Sequence, residues 1–175
     1  MSKAPIPLYS AEQIRVRVNE LAASLDSRFA EGETLHFVAV LTGSFVFLAD
    51  LIREMRRPVT VDFVRLASYG SATTTSGEPR LLFGPARDLR DRHVVIVDDV
   101  LDTGLTLQAL QGHVRAARPR SVSTVVLLDK PARRRVRTPI DLVGFTVGDQ
   151  FVVGYGMDRS EAHRQLPFLA VLPSS

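Results

Sequence analysis

The sequence predicts an α/β domain: a mainly parallel central sheet flanked by helices. Apolar runs rich in strand formers alternate with segments of helical periodicity. Several runs are apolar over most of their length (LHFVAVL at 35–41, HVVIV at 93–97, VSTVVLL at 122–128), as strands covered on both faces are. The chain has 175 residues, the length of one domain, so residues 1–175 are read as a single unit.

The elements follow in order. Residues 1–10 read as a short tail. Ser10, with Gln13 three residues on, forms a capping box. Ile14, Val18, Leu21, Ala22 and Leu25 then recur at helical spacing, and this helix ends before Gly32. A strand over 35–41 is broken by Thr42, Gly43 and Ser44, and 45–55 reads as a helix. Residues 58–67 alternate as a strand does. Residues 68–79 (SYGSATTTSGEP) are small, polar and longer than most connections, the mark of a functional or unordered loop. A short strand is expected over 81–83, a buried one over 93–97, a helix over 105–117, and strands over 122–128, 142–145 and 151–153.

Composition excludes several functions. Cysteine is absent, so there is no disulfide framework, zinc–thiolate site or thiol nucleophile. No apolar run approaches the ~18 residues of a membrane span, and the first residues lack a signal-peptide core, so a cytoplasmic protein is expected. The net charge is +3 and the isoelectric point about 9.8. The basicity reflects arginine, because Lys3 and Lys130 are the only lysines. The one dense run, Arg133, Arg134, Arg135 and Arg137, reads as a solvated loop, and it does not by itself point to nucleic acid. The four histidines show no metal-ligand spacing.

Chemistry concentrates in residues 94–106 (VVIVDDVLDTGLT). A strand runs into Asp98 and Asp99, and Asp102, Thr103, Gly104 and Thr106 lead into a helix. A glycine turn at a helix N-terminus presents backbone N–H groups to an anion, and the threonines add hydroxyls, so the turn suits a phosphate monoester. Sugar hydroxyls and a magnesium ion are natural partners for Asp98 and Asp99. The competing reading is a strand ending in solvated acids, with Asp102 a plain helix N-cap.

This segment resembles the donor-binding signature of type I phosphoribosyltransferases, and blocks from Leu41 to Arg164 are similar to the hypoxanthine-guanine branch of that family. The resemblance implies a small hood built from the N-terminal segment and about 140–175, and a mobile lid over about 68–80 beginning at Ser68 and Tyr69. It implies that Asp102, Thr103, Gly104, Leu105 and Thr106 hold the ribose 5-phosphate, and that Asp98 and Asp99 meet the ribose hydroxyls directly or through Mg2+. Asp102 also matches the carboxylate that accepts the proton of purine N7. Leu41, Thr42 and Gly43 match the pyrophosphate loop, with the Leu41–Thr42 bond open to the cis form, and Arg164 matches an arginine on pyrophosphate. Lys130 matches the lysine that donates to the oxygen at purine C6. Phe151 and Val152 match the stacking aromatic and the carbonyl facing C2, and Asp158 the acid beside them that ligates magnesium through water. The implied substrates are 5-phosphoribosyl 1-diphosphate and a 6-oxopurine, and the implied assembly is a homodimer or homotetramer. An RNA-binding regulator of pyrimidine genes on the same frame, and a same-fold enzyme for xanthine or another base, remain as alternatives.

Overall fold

The structure, a computed structural model, describes residues 4–67, 80–85 and 87–173. The first helix, α1 (Ala11–Asp26), starts on the expected capping box: the Gln13 N–H donates to Ser10 Oγ at 3.2 Å and the Ser10 N–H to Gln13 Oε1 at 2.8 Å. Its apolar stripe, Ile14 to Leu25, is buried. After β1 (Ile6–Tyr9) and α1 come β2 (Leu35–Val40), α2 (Phe45–Arg53), β3 (Val59–Ala67), β4 (Arg80–Phe83) and β5 (His93–Leu101). Then follow α3 (Leu105–Ala116), β6 (Ser121–Asp129), β7 (Leu142–Thr146), β8 (Val152–Val153) and β9 (Leu169–Val171).

The main sheet has the order β4-β3-β2-β5-β6-β7, parallel except for β4 at its edge. Side chains alternate between two cores, which is why the central strands read as largely apolar runs. Phe37, Ala39, Val95, Val97 and Leu127 pack toward α1 and α2, whereas Val38, Val94, Ile96 and Val126 pack with Leu107, Leu110 and Val114 of α3. From β2 the chain winds outward to β3, then returns to place β5 on the other side of β2. The strand order therefore reverses between β2 and β5, and the loops leaving their carboxyl ends flank a crevice.

Two expectations need correction here. Residues 6–9 are not tail: β1 pairs antiparallel with β9, which pairs with β8, making a three-stranded hood sheet from both chain ends. Tyr9 also stacks on Phe145, ring centroids 4.0 Å apart. The partner of β1 lies at the far end of the chain, so no local pattern announces the strand. Likewise β5 does not stop at residue 97. Pairing with β6 (Val100↔Leu128, Leu101↔Asp129) carries it through the two acids.

At the opposite end of the sheet His36 is buried, its Nδ1 2.7 Å from Thr60 Oγ1 and its Nε2 3.2 Å from Asp62 Oδ2 without an aligned hydrogen bond. Burial pushes the imidazole below its ordinary range, helped by Arg92 and Arg87, against the pull of Asp62. The folded state thus binds this proton less readily than the unfolded chain, so stability is present above about pH 6.5 and declines as the pH falls below it. His36→Gln should therefore flatten the loss of thermal stability between about pH 7 and pH 5. Melting curves of parent and variant that fall in parallel over that range would contradict it.

Candidate active site

The crevice is built from the β5 end outward. Asp98 is buried and Asp99 partly so. Burial first, then the neighbouring Asp99, pushes the Asp98 carboxyl well above the usual range. Burial also raises Asp99, opposed by the Asp98 side chain, by backbone N–H groups and by the Arg164 guanidinium. Across from Asp99 runs the loop after β2, entered through a cis Leu41–Thr42 bond and tied down by Ser44 Oγ donating to Val40 O at 2.5 Å. The fit is tight enough that a Cβ on Gly43 would lie 1.7 Å from Asp99 Oδ2. Gly156 closes on the same loop; a Cβ there would sit 2.6 Å from Gly43 O. Arg164 donates to Gly156 O at 2.9 Å and pairs with Asp158 at 2.8 Å. Thus Gly43, Asp99, Asp158 and Arg164, widely separated in the chain, meet at one place.

On the far side of β5 lies the glycine turn. Gly104 occupies the N-cap position of α3 with φ 87°, a left-handed conformation that favours glycine, so the cap brings no side chain of its own, and the Leu105 N–H has only a long 3.5 Å contact with Thr103 Oγ1. Asp102 is therefore not an N-cap, and the competing reading of these acids loses its support. The first-turn N–H groups have no intrahelical acceptors and are available to an anion.

Beyond the turn, β6 delivers Lys130. Its backbone N–H donates to Leu101 O at 3.0 Å, and its Nζ donates to Gln150 O at 2.8 Å. Only 7% exposed, the ammonium is pushed below its ordinary range by burial; Asp102 and Asp149 oppose that shift and Arg133 adds to it. Val152 is buried next to Phe151, whose ring is 49% exposed and so available to stack, with the Arg159 guanidinium 5.5 Å from its centroid. Asp102 Oδ1 lies 2.8 Å from Arg133 Nε, yet the angle makes no hydrogen bond. With the Asp102 side chain 37% exposed, the carboxylate is within reach of a ligand. A family model described as the phosphoribosyl transferase domain matches residues 8–160. The chain belongs to the phosphoribosyl transferase family.

It is 38% identical to hypoxanthine phosphoribosyltransferase of Haemophilus influenzae over 93% of this chain and 92% of that one. Among solved structures it is similar to a hypoxanthine-guanine phosphoribosyltransferase of Bacillus anthracis, with TM-score 0.91, 42% identity, and 99% and 100% of the two chains covered. It is also similar to the hypoxanthine phosphoribosyltransferase of Trypanosoma cruzi in complex with the product IMP (TM-score 0.87, 37% identity, 95% and 93% covered).

For this phosphoribosyl transferase the structure brings together both ends of the expected site, except Ser68 and Tyr69, which lie outside the described residues with the rest of 68–79. Sequence reasoning missed Gln150, whose contribution is a carbonyl, and Gly156, whose contribution is a missing side chain. The arginine run is solvated at Arg133, Arg135 and Arg137, as expected, but its pairing was missed: Arg133 pairs with Asp102 and, at 3.2 Å, with Asp149, and the half-buried Arg134 pairs with Asp129. The proximity of that run to Lys130 was the available signal. An apolar groove of about 550 Å³ lies beside the crevice, lined by Ile14, Phe45, Val46, Leu166 and Pro167 among others. It shares only Arg164 with the expected site residues, and its lining offers neither the glycine turn nor Lys130.

Gly43→Ala provides a direct probe of this packing. The added methyl displaces the Asp99 carboxylate, a flexible end, so the melting temperature should hardly move. Affinity for ribose 5-phosphate with magnesium should fall by about tenfold or more, the value of a charged hydrogen bond. Calorimetric titration of parent and variant checks this; equal affinities would separate Asp99 from the sugar.

Proposed function

We propose that this chain transfers the phosphoribosyl group of 5-phosphoribosyl 1-diphosphate to N9 of hypoxanthine or guanine, giving IMP or GMP and diphosphate, a purine-salvage reaction. One observation carries the base assignment. A buried ammonium, a reachable carboxylate and an exposed aromatic ring (Lys130, Asp102, Phe151) flank the end of a crevice whose other wall is the glycine turn at the start of α3.

In this reading the N–H groups of residues 103–106 and the hydroxyls of Thr103 and Thr106 hold the 5-phosphate. Asp98 and Asp99 take the ribose hydroxyls. The loop of Leu41, Thr42 and Gly43 presents backbone N–H groups to the pyrophosphate, and Arg164 adds a guanidinium. Phe151 stacks on the purine, the Val152 carbonyl faces C2, and Lys130 donates to the oxygen at C6. Asp102 accepts the N7 proton, which makes the N9 electron pair available. The N9–C1′ bond forms as the C1′–oxygen bond breaks, and that bonding pair leaves on diphosphate. Fixing donor and acceptor in line is most of the protein's work.

Magnesium fits the acids. Asp98 and Asp99 are carboxyls whose charge is resisted by burial, and a hard cation with oxygen ligands favours their ionised form. Among the described residues no three metal-ligating side chains cluster, which agrees with an ion held by one or two carboxylates plus substrate and water oxygens. Asp98 and Asp99 would hold it, with Asp158 acting through water near the pyrophosphate. When bound, it neutralises charge on the departing diphosphate. The reading extends to one transferase domain over the whole chain, a homodimer or homotetramer, and a cytoplasmic setting; no helix among the described residues is long and apolar enough to cross a membrane.

The test is a panel of hypoxanthine, guanine, xanthine and adenine with the sugar donor and magnesium, run on parent and Lys130→Arg. Hypoxanthine and guanine should be consumed with matching release of diphosphate, and adenine should not. Lys130 makes a single-point contact, Nζ to Gln150 O at 2.8 Å, and the wide planar guanidinium should crowd the base or miss the C6 oxygen and lower kcat/KM for hypoxanthine by at least about tenfold. Ribose 5-phosphate affinity should stay unchanged. Inactivity with every base defeats the proposed activity; full efficiency of the variant defeats only the role of Lys130.

A further inference from the structure

The segment after Lys130 grips the glycine turn by its carbonyls. Arg134 Nε donates to Asp102 O at 3.1 Å. The Arg135 and Val136 N–H groups donate to Thr103 O at 2.9 and 3.3 Å. The Thr138 hydroxyl lies 3.2 Å from Gly104 O and 3.3 Å from Val136 O, and shares its proton between them. Three consecutive carbonyls of the turn therefore face one strap. In a trans peptide the C=O of one residue and the N–H of the next point to opposite sides. Drawing the carbonyls of Asp102, Thr103 and Gly104 toward the strap thus turns the N–H groups of Thr103, Gly104 and Leu105 away from it.

Packing leaves no slack in this arrangement. A Cβ on Gly104 would meet Thr138 Oγ1 at 2.5 Å, Val136 O at 3.0 Å and Arg134 Cδ at 3.1 Å. Arg134 is the anchor of the strap. Its Nη2 pairs with Asp129, at the end of β6, while its Nε reaches the turn, and its side chain is 20% exposed. One planar fork thus links the strand end that carries Lys130 to the loop that starts α3. The compact single head of lysine has no such geometry.

We propose that Arg134 is a positioning residue for the donor phosphate: with Thr138 it sets the orientation of the turn's peptides, and so aims their N–H groups at the 5-phosphate without touching the ligand itself. This rests on the reading of the turn as the 5-phosphate site.

The test uses the full chain as parent, Arg134→Lys and Thr138→Val. Ribose 5-phosphate affinity is measured by calorimetry, and KM for the sugar donor, KM for hypoxanthine and kcat by initial rates. Arg134→Lys should weaken ribose 5-phosphate about tenfold and raise the donor KM in step, and Thr138→Val should do so about threefold. KM for hypoxanthine and kcat at saturating donor should stay within about twofold in both. In amide spectra, the shifts that ribose 5-phosphate induces at Thr103, Gly104 and Leu105 should shrink in the variants. Variants that bind ribose 5-phosphate as the parent does overturn the inference, as does a fall in kcat with donor affinity intact. If Arg134→Lys does not fold, Thr138→Val, which keeps the shape, decides by the same criterion. A parent that binds no ribose 5-phosphate instead removes the functional reading on which the inference stands.

Discussion

The site depends on two carboxylates placed where burial resists their charge. Val94 to Val97 are fully buried between two cores, and the strand continues without a break into Asp98 and Asp99. Up to Val97 β5 is hydrogen-bonded to β2 on one side and β6 on the other, and its pairing with β6 continues past the acids to Leu101. The two carboxyls stay close enough to influence each other, with Asp98 Oδ1 accepting from the Asp99 N–H at 3.0 Å, and Asp99 meets the loop after β2 so closely that a side chain at residue 43 would displace its carboxylate. Burial makes the ionised forms of this pair costly, and a sugar diol and a hard cation would supply what those forms lack.

Register then converts this strand end into a ruler. Leu101 stands opposite Asp129, and Asp129 opposite Thr146, so β5, β6 and β7 end along one edge. The turn at Gly104 leaves β5, Lys130 leaves β6, and the carbonyl that receives Lys130 follows β7. In the proposed reading, a phosphate at the turn and a purine at Lys130 would thereby be held at a set separation by backbone hydrogen bonds rather than by flexible side chains. That is the property a transfer between two bound groups needs. The charges around Lys130 alternate in sign: Lys130, Asp102, Arg133 and Asp149 form a chain of opposite neighbours, so neither Lys130 nor Asp102 is left as a bare charge.

Much of this was legible in the sequence because its signals are local. The capping box at Ser10 and Gln13, the apolar runs and the acid–threonine–glycine pattern each act within a few residues, and each is found in the structure. What was not legible depends on partners distant in the chain. The strand at Ile6–Tyr9 exists because Leu169–Val171 does. Gln150 holds Lys130 through a carbonyl, which every residue has, and Gly156 matters through the atoms it lacks. Arg134 lay in a run whose composition resembles a solvated loop, and only the fold shows that its guanidinium faces Asp129 and the turn instead. Resemblance to a family supplied the pairing of Asp158 and Arg164 with the pyrophosphate loop, and no spacing rule on these residues would have done so.

A crystal structure of the protein with 5-phosphoribosyl 1-diphosphate, magnesium and an unreactive 6-oxopurine analogue tests the account most directly. It should show the 5-phosphate on the N–H groups of residues 103–106, the ribose hydroxyls and the metal at Asp98 and Asp99, and the purine against Phe151 with its C6 oxygen on Lys130. A purine seated in the apolar groove beside Phe45 and Leu166, or a phosphate bound away from the Gly104 turn, would contradict it.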